Sequence, residues 1–390
     1  MSHLDRRQVL KLFGAAAAAS ATGAVTGCTS APQGTAMEQP SGRTITVGLM
    51  SPALGPYSKI GDDITKGFKL YLEDNANRLG RHYVDLKTAE EGATAESAVA
   101  AVKSLLAQSP IALAGVASPG SLTAVAGAVE SAKVPLVGCG VAPATLTTQL
   151  FIWRVSQVAG EAGQAMAPYA WAQGRRAYVM NEDNPTAAAE VEEFRTLFRD
   201  LGGDIVGESQ GRGSYIPRMQ QAVNLGANSI FAAYTGPDAL AVLEAYRSAE
   251  VPIKLLGPGS LTETIDLTKL SGLPPRVYTA MYYAPDLDNE VNRRFVSSYH
   301  KKHGVQPSTY AMAAHDSAAT LDRGLRLIDD DLTPASLNRA FSLLGQMESP
   351  RGVWAFNVKR TPQQKWFLRR LRQDGQVPAN LLDTDLTVLS

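Results

Sequence analysis

The chain is expected to fold as an α/β protein of two doubly wound parallel-sheet lobes, joined by a hinge that the backbone crosses more than once. Three observations carry this expectation. From residue 43 onward, short apolar runs alternate with stretches of helical period, and the alternation occurs twice over. The short runs are continuous Val, Ile, Leu and Ala, so they read as strands buried on both faces of parallel sheets. The pattern then breaks into three successive helices and a closing hairpin, spare elements able to return and complete the first lobe. A length of 390 residues also exceeds what one ordinary core holds, so two domains are expected.

Taken in order, residues 1–27 read as an export signal. Arg6, Arg7 and Lys11 form a charged start, and an alanine-rich apolar run follows that is too short to span a bilayer, which takes about 20 apolar residues. Asp5-Arg6-Arg7-Gln8-Val9-Leu10-Lys11 resembles the twin-arginine motif, with Asp5 and Val9 departing from it. An ordinary Sec signal holding two arginines is the other reading. Val25-Thr26-Gly27-Cys28 resembles a bacterial lipobox, which makes Cys28 the lipidation site and the mature N-terminus. Two or three acyl chains hold a protein on a membrane that one chain grips only marginally. The alternative is a cleaved secretory peptide with a chance cysteine.

Residues 28–42 form the lipidated tether. They are rich in Ser, Thr, Pro, Gly and Gln and cannot bury enough surface to offset ordering. Such a flexible segment spans roughly 20 Å, enough to hold a folded body just off a bilayer.

Charge and composition exclude several classes. Lys plus Arg and Asp plus Glu number 37 each, and removal of residues 1–27 leaves 34 basic against 36 acidic residues. Neither nucleic acid nor an anionic surface is implied as a partner. With Cys28 acylated only Cys139 remains, so no intramolecular disulfide forms and the core alone stabilises the fold.

The first run of elements places strands over 45–50, 83–88, 111–116 and 134–139, with helices over 61–75, 95–107 and 121–131. The second places strands over 176–180, 204–207, 229–233 and 254–257, with helices over 161–172, 186–201, 216–225 and 238–249. A strand over 277–283, helices over 289–303, 308–328 and 334–344, and a hairpin of 353–358 with 366–372 complete the chain. The domain boundaries follow: lobe I from 43–155 plus 284–350, lobe II with the closing hairpin from 156–283 plus 351–390.

Several motifs invite chemistry and are set aside. Gly207-Glu208-Ser209-Gln210-Gly211 matches the nucleophile-elbow pattern, but Gly213 and Pro217 delay the helix that an elbow needs at once. His300, Lys301, Lys302 and His303 before Gly304 offset a helix dipole and lead into a left-handed cap, rather than holding zinc. His315 and Asp316 are adjacent on a helix and point about 100° apart, so they form no catalytic pair. His315 is expected to pack at the lobe surface or cleft edge, and Asp316 to cap or brace a neighbouring loop. Asp329-Asp330-Asp331 lacks the spacing of a calcium loop. No cofactor, metal or catalytic residue is expected.

Residues 44 to about 372 resemble the solute-binding proteins of branched-chain amino acid ABC transporters, which are periplasmic binding proteins of type I. The resemblance lies in Ile45-Thr46-Val47-Gly48-Leu49-Met50-Ser51-Pro52, Gly55-Pro56-Tyr57 with Gly61, Val134-Pro135, and Phe151-Ile152-Trp153-Arg154. It continues through Leu256-Gly257-Pro258-Gly259, His315-Asp316-Ser317-Ala318 and Gly352-Val353-Trp354-Ala355-Phe356. It implies a Venus-flytrap clamp without chemistry: two lobes on three hinge strands close on a small solute, and a membrane permease recognises the closed form.

Ligands of open α/β sheets sit outside the carboxyl ends of the strands. By position, the resemblance implies contacts from Tyr57 and Ser58, from Ser118, Pro119 and Gly120, and from Cys139, Gly140 and Val141 in lobe I. From lobe II it implies Asn184 and Pro185, Thr235 and Gly236, Gly259 and Ser260, with Tyr282 near a hinge. Cys139 is read as pocket lining and not as a nucleophile. Where amino acid binders of this family clamp the α-carboxylate with hydroxyl residues, this chain has Pro119 and Val141. Where they offer an acid to the α-ammonium it has Gly259, and Pro185 replaces a pocket aromatic. A slip of one or two residues brings in Ser118, Ser260 or Glu263. With no counter-charge for an ammonium group, the expected solute is a neutral amide, a small aromatic or aliphatic acid, or another weakly charged molecule, and not a zwitterionic α-amino acid.

The expected protein is therefore an extracytoplasmic, membrane-anchored monomer that delivers a small solute to ABC permease subunits. A sensor of the same fold that signals to a receptor, and a secreted serine hydrolase using Ser209, are the alternatives.

Overall fold

The computed structural model describes residues 42–389 except Pro56, Asp329 and Asp330. The export segment, Cys28, most of its tether and two residues of the acidic run at 329–331 lie outside the described residues.

The first sheet comprises β1 (Thr44–Ser51), β2 (Arg78–Leu79), β3 (His82–Glu90), β4 (Ala112–Gly115), β5 (Leu136–Gly138) and β6 (Ile152–Arg154). Their order is β2-β3-β1-β4-β5-β6, and all pair in parallel except β2, which runs antiparallel to β3. Helix α1 (Ser58–Asp74) covers one face, and α2 (Ala95–Leu106) with α3 (Pro119–Ala132) covers the other. Val47 and Leu49 of β1 and Val137 of β5 are buried, as continuous apolar strands covered by helices require.

The second sheet repeats the plan. Its parallel strands are β7 (Arg176–Asn181), β8 (Asp204–Gln210), β9 (Ser229–Ala233), β10 (Lys254–Pro258) and β11 (Val277–Met281), ordered β8-β7-β9-β10-β11. Helices α4 (Glu161–Gln173) and α5 (Pro185–Asp200) pack on one face, α6 (Tyr215–Asn224) and α7 (Gly236–Ala249) on the other. A short α8 (Ser260–Glu263) follows β10. Glycine allows the closest helix approach here: a Cβ on Gly163 of α4 would lie 2.0 Å from the Glu190 carbonyl oxygen of α5.

After β11 come α9 (Glu290–His303), α10 (Thr309–Arg326) and α11 (Pro334–Phe341). Helix α10 lies along α1, where a Cβ on Gly67 would meet the Ala311 carbonyl oxygen at 2.0 Å. Helix α9 ends as its basic last turn predicts, with Gly304 left-handed at φ 71° and its amide donating to the His300 carbonyl. His315 is half-buried on α10. Its ring packs between Tyr71 and Phe295, at 4.9 and 4.7 Å between centroids, and burial pushes its pKa down to about 4, so it is a neutral packing residue.

The closing hairpin is also placed differently. Strands β12 (Ala355–Phe356), β13 (Pro362–Asp374) and β14 (Val377–Leu389) end the described chain. The long pair is β13 with β14, and β12 adds only a two-residue match to the start of β13. The turn is Gly375-Gln376, with Gly375 at φ 58° after Asp374, a local hairpin signal. Strand β14 escapes a period-two reading because Pro378, Asp383 and Asp385 interrupt it. As an edge strand it tolerates them.

Three chain crossings link the sheets: after β6, after β11 and before β12. Arg351 ties them together. It is 3% exposed and donates through Nε to Asp316 Oδ2 at 2.8 Å and through Nη2 to the Val155 carbonyl at 2.6 Å. Nη1 reaches Gln364, and the guanidinium lies over the rings of Tyr282 and Trp354, at 5.0 and 4.6 Å. Asp316 therefore braces a neighbouring loop, also accepting from Ser349 Oγ at 2.7 Å.

Removing one partner of a buried pair strands the other charge, at a cost of about 3–5 kcal/mol. Arg351→Ala is expected to lower unfolding stability by that amount in urea titrations. Arg294→Ala, which breaks an exposed pair with Glu290, is expected to change it by less than about 1 kcal/mol.

Candidate binding cleft

Both sheets have the 2-1-3-4-5 order of doubly wound folds, so each has one point where the strand order reverses, between β1 and β4 in the first and between β7 and β9 in the second. Loops diverge at such points and leave a crevice at the carboxyl ends of the strands. The cleft lies there: Tyr57 follows β1, Ala117 and Pro119 follow β4, Glu182 and Asn184 follow β7, and Tyr234 and Thr235 follow β9. The cavity measures about 40 Å³. One water needs roughly 10–15 Å³ on that scale, so the space suits a small metabolite and not a polymer.

Helix starts shape the walls. Ser118 caps α3 and Asn184 caps α5 through their side-chain oxygens, each with proline in the first turn. Thr235 precedes α7, whose first residue Gly236 has φ 52°.

Among the expected contacts, Tyr57, Pro119, Val141, Asn184, Thr235 and Ser260 line the cavity. Ser58, Ser118, Gly120, Cys139, Gly140, Gly259 and Tyr282, with Pro185 and Gly236, fall outside its lining, each for a local reason. Ser58 opens α1, Ser118 spends its hydroxyl on the cap, and Gly120 is exposed on the outer side of the first turn of α3. Pro185 and Gly236 serve as the first residues of α5 and α7. Gly140 lets two loops meet, since a Cβ there would lie 2.2 Å from the Ala117 carbonyl oxygen. Gly259 sits against Met281 and Arg369, and Tyr282 is buried beneath Arg351.

The reading of Cys139 as pocket lining is corrected. It is fully buried in the first-lobe core beside the Ala313 carbonyl, and burial pushes its thiol up to about 12. Glu263 does not reach the cavity either: it pairs with Arg369 and accepts from the Thr309 amide and hydroxyl, both at 3.0 Å.

The expectation of a cleft without acids fails. Glu182 and Glu190 both line it. Glu182 is 6% exposed, and its Oε1 accepts from Thr235 Oγ1 at 2.6 Å. Glu190 of α5 reaches the start of α4 with its carboxylate, accepting from the Gly163 amide at 2.8 Å, and burial raises it to about 7. A third carboxylate, Glu91, accepts from the Ala117 and Ser118 amides at 2.8 and 2.9 Å, and burial raises its pKa too. Tyr57 registers both lobes: burial first, then the charges of Glu182 and Glu91, push its hydroxyl pKa up. Gln157, Thr186, Tyr234, Thr264 and Tyr310 complete the polar lining and were not among the expected contacts. Glu182, one residue past β7, was within reach of the strand-end rule, whereas Tyr310 comes from the late helix α10.

Ser209 lies inside β8 and not on an elbow, and its buried hydroxyl has no hydrogen-bond partner among the described residues. Among the described residues no group of three His, Cys, Asp or Glu residues is placed to hold a metal ion, and no helix is long and apolar enough to cross a membrane.

Residues 44–376 match the periplasmic binding protein family. A Leu/Ile/Val-binding protein homolog of Brucella melitensis is 26% identical over 344 residues, covering 84% of this chain and 87% of that protein. Among solved structures, an R. palustris ABC-transporter solute-binding protein in complex with benzoate aligns with TM-score 0.77 at 22% identity, over 88% of this chain and 97% of that one. The branched-chain amino acid binding protein LivJ of Streptococcus pneumoniae, in complex with isoleucine, aligns with TM-score 0.78 at 15% identity, over 87% and 99%. At these identities the structural likenesses establish the two-lobed fold. The family and these relatives are solute-binding proteins and not enzymes.

Glu190 sets a pH dependence. Burial holds its folded-state pKa at about 7, above the ordinary glutamate value of 4.5, so the folded protein keeps a proton that the unfolded chain releases. Its contribution is fully present below about 4.5 and is lost as pH rises through about 7, at about 1.4 kcal/mol for each pH unit between those values. Glu190→Gln is expected to flatten the fall in urea midpoint between pH 5 and pH 8. An unchanged slope would contradict the assignment.

Proposed function

The chain belongs to the periplasmic binding protein family, and from that premise we propose that it captures a small solute outside the cytoplasm and delivers it to the permease of an ABC importer. The single observation that carries the reading is the cleft lined from the strand-reversal points of both sheets. We take lobe I as 43–155 plus 284–350 and lobe II as 156–283 plus 351–390. Tyr57, Pro119, Val141, Asn184, Thr235 and Ser260 are the expected contacts that keep a role at the solute.

Function then follows from differential binding. A solute that touches both walls at once binds the closed form better than the open one, and only that difference shifts the equilibrium. The permease reads the closed form as the signal that cargo is aboard. In this reading the protein acts as a monomer, is exported by the twin-arginine or Sec route, and is anchored through acylated Cys28, with residues 28–42 as the tether.

Two results are expected. Protein purified from its native host and then denatured releases one small molecule in near-equimolar amount by mass spectrometry; release of none at any protein concentration contradicts capture. Cys28→Ala moves the protein from the membrane fraction to the soluble fraction, and an unchanged distribution contradicts the anchor.

A further inference from the structure

Two acceptor oxygens of residues that line the cleft lack a donor, one of them buried. Gln157 is 1% exposed and lines the cavity, and its Oε1 has no hydrogen-bond partner among the described residues. Glu182 engages Thr235 through Oε1 only, and among the described residues its Oε2 has no hydrogen bond. A buried acceptor such as Gln157 Oε1 is ordinarily satisfied, and the free Glu182 oxygen offers a second acceptor, so the two call for N–H or O–H groups from the solute.

Charge points the same way. Glu182 and Glu190 line the cavity and, among the described residues, no Lys, Arg or His does. The cations nearby are engaged elsewhere: Lys59 pairs with Asp63 at 2.8 Å, and Arg218 donates to the Gly211 carbonyl at 2.7 Å. The Ala117 and Ser118 amides of the loop leading into α3, which could have met an anion, already serve Glu91. A carboxylate solute would enter as an unpaired negative charge beside Glu182.

We infer that the solute is a non-anionic N–H donor, a primary amine or primary amide, whose nitrogen hydrogens go to Glu182 Oε2 and Gln157 Oε1 while its apolar body lies against Ile60, Val141, Tyr234 and Tyr310. The inference rests on the solute-capture reading and names its chemical class. An amine gains from the Glu182 charge, whereas an amide needs only acceptors.

Isothermal titration calorimetry on the purified full chain with two matched series tests it: benzoate, benzamide and benzylamine, then 3-methylbutanoate, 3-methylbutanamide and 3-methylbutylamine, all at pH 7.5. The amide or amine of at least one series is expected to bind at least tenfold more tightly than its carboxylate. This ranking is read on the unaltered protein and depends on no variant folding. Glu182→Gln is expected to weaken the amine at least tenfold and the amide less than threefold, Gln157→Leu to weaken the amide, and Glu208→Gln on the exposed edge strand to change neither. A carboxylate that binds as tightly as its partners, or amine binding indifferent to Glu182→Gln, overturns the inference and leaves solute capture standing. Binding of none of the six probes counts against both.

Discussion

The buried Arg351 guanidinium is the point on which the rest of the structure depends. Arg351 sits on the third crossing, contacts the first through Val155 and the second through the Tyr282 ring, and reaches Gln364 of β13, while Asp316 of α10 balances its charge. A buried ion pair is weak evidence for stability, because desolvation offsets much of its attraction. Its value here is geometric. A planar fork with fixed donor directions holds three backbone segments in one arrangement, which defines where each lobe begins and how their strand ends face one another.

From that arrangement the site follows. Each sheet reverses its strand order once, and the two reversals face a common space, so the cleft is a consequence of topology before any side chain is considered. Side chains then set its character. Carboxylates from the loops after β3 and β7 and from α5 occupy backbone amides and a hydroxyl within the protein, so the cleft is acidic and aromatic, with no cation in its lining among the described residues. Glu91 is the informative member: by filling the Ala117 and Ser118 amides of the loop before α3, it takes over a place where a sheet of this kind could have met an anionic ligand.

The sequence made most of the fold legible. Strand and helix periods differ, and both faces of each sheet are buried, so continuous apolar runs such as those of β1, β7 and β9 stand out. Strand β14 was hidden because an edge strand need not be apolar, although Asp374-Gly375 marked its turn. The site was less legible. Tyr57, Val141, Asn184, Thr235 and Ser260 were found from their places after strands, but which residue of a loop turns inward depends on caps and packing. Ser118 is spent as a cap, Cys139 one residue past β5 points into the core, and Gln157 and Tyr310 come from a crossing and a distant helix that strand-end reasoning does not reach.

The central claim is that the two lobes are rigid bodies that close on a solute about the Arg351 hinge. Pulsed electron paramagnetic resonance between spin labels at Leu54 and Arg212 reads it most directly. Both side chains are exposed, on loops that follow β1 and β8, and the buried Cys139 thiol does not compete for label. The account predicts two distance populations, with the shorter one filled as a low-molecular-weight extract of the native host is added. A single distance that no component of the extract shifts would contradict it.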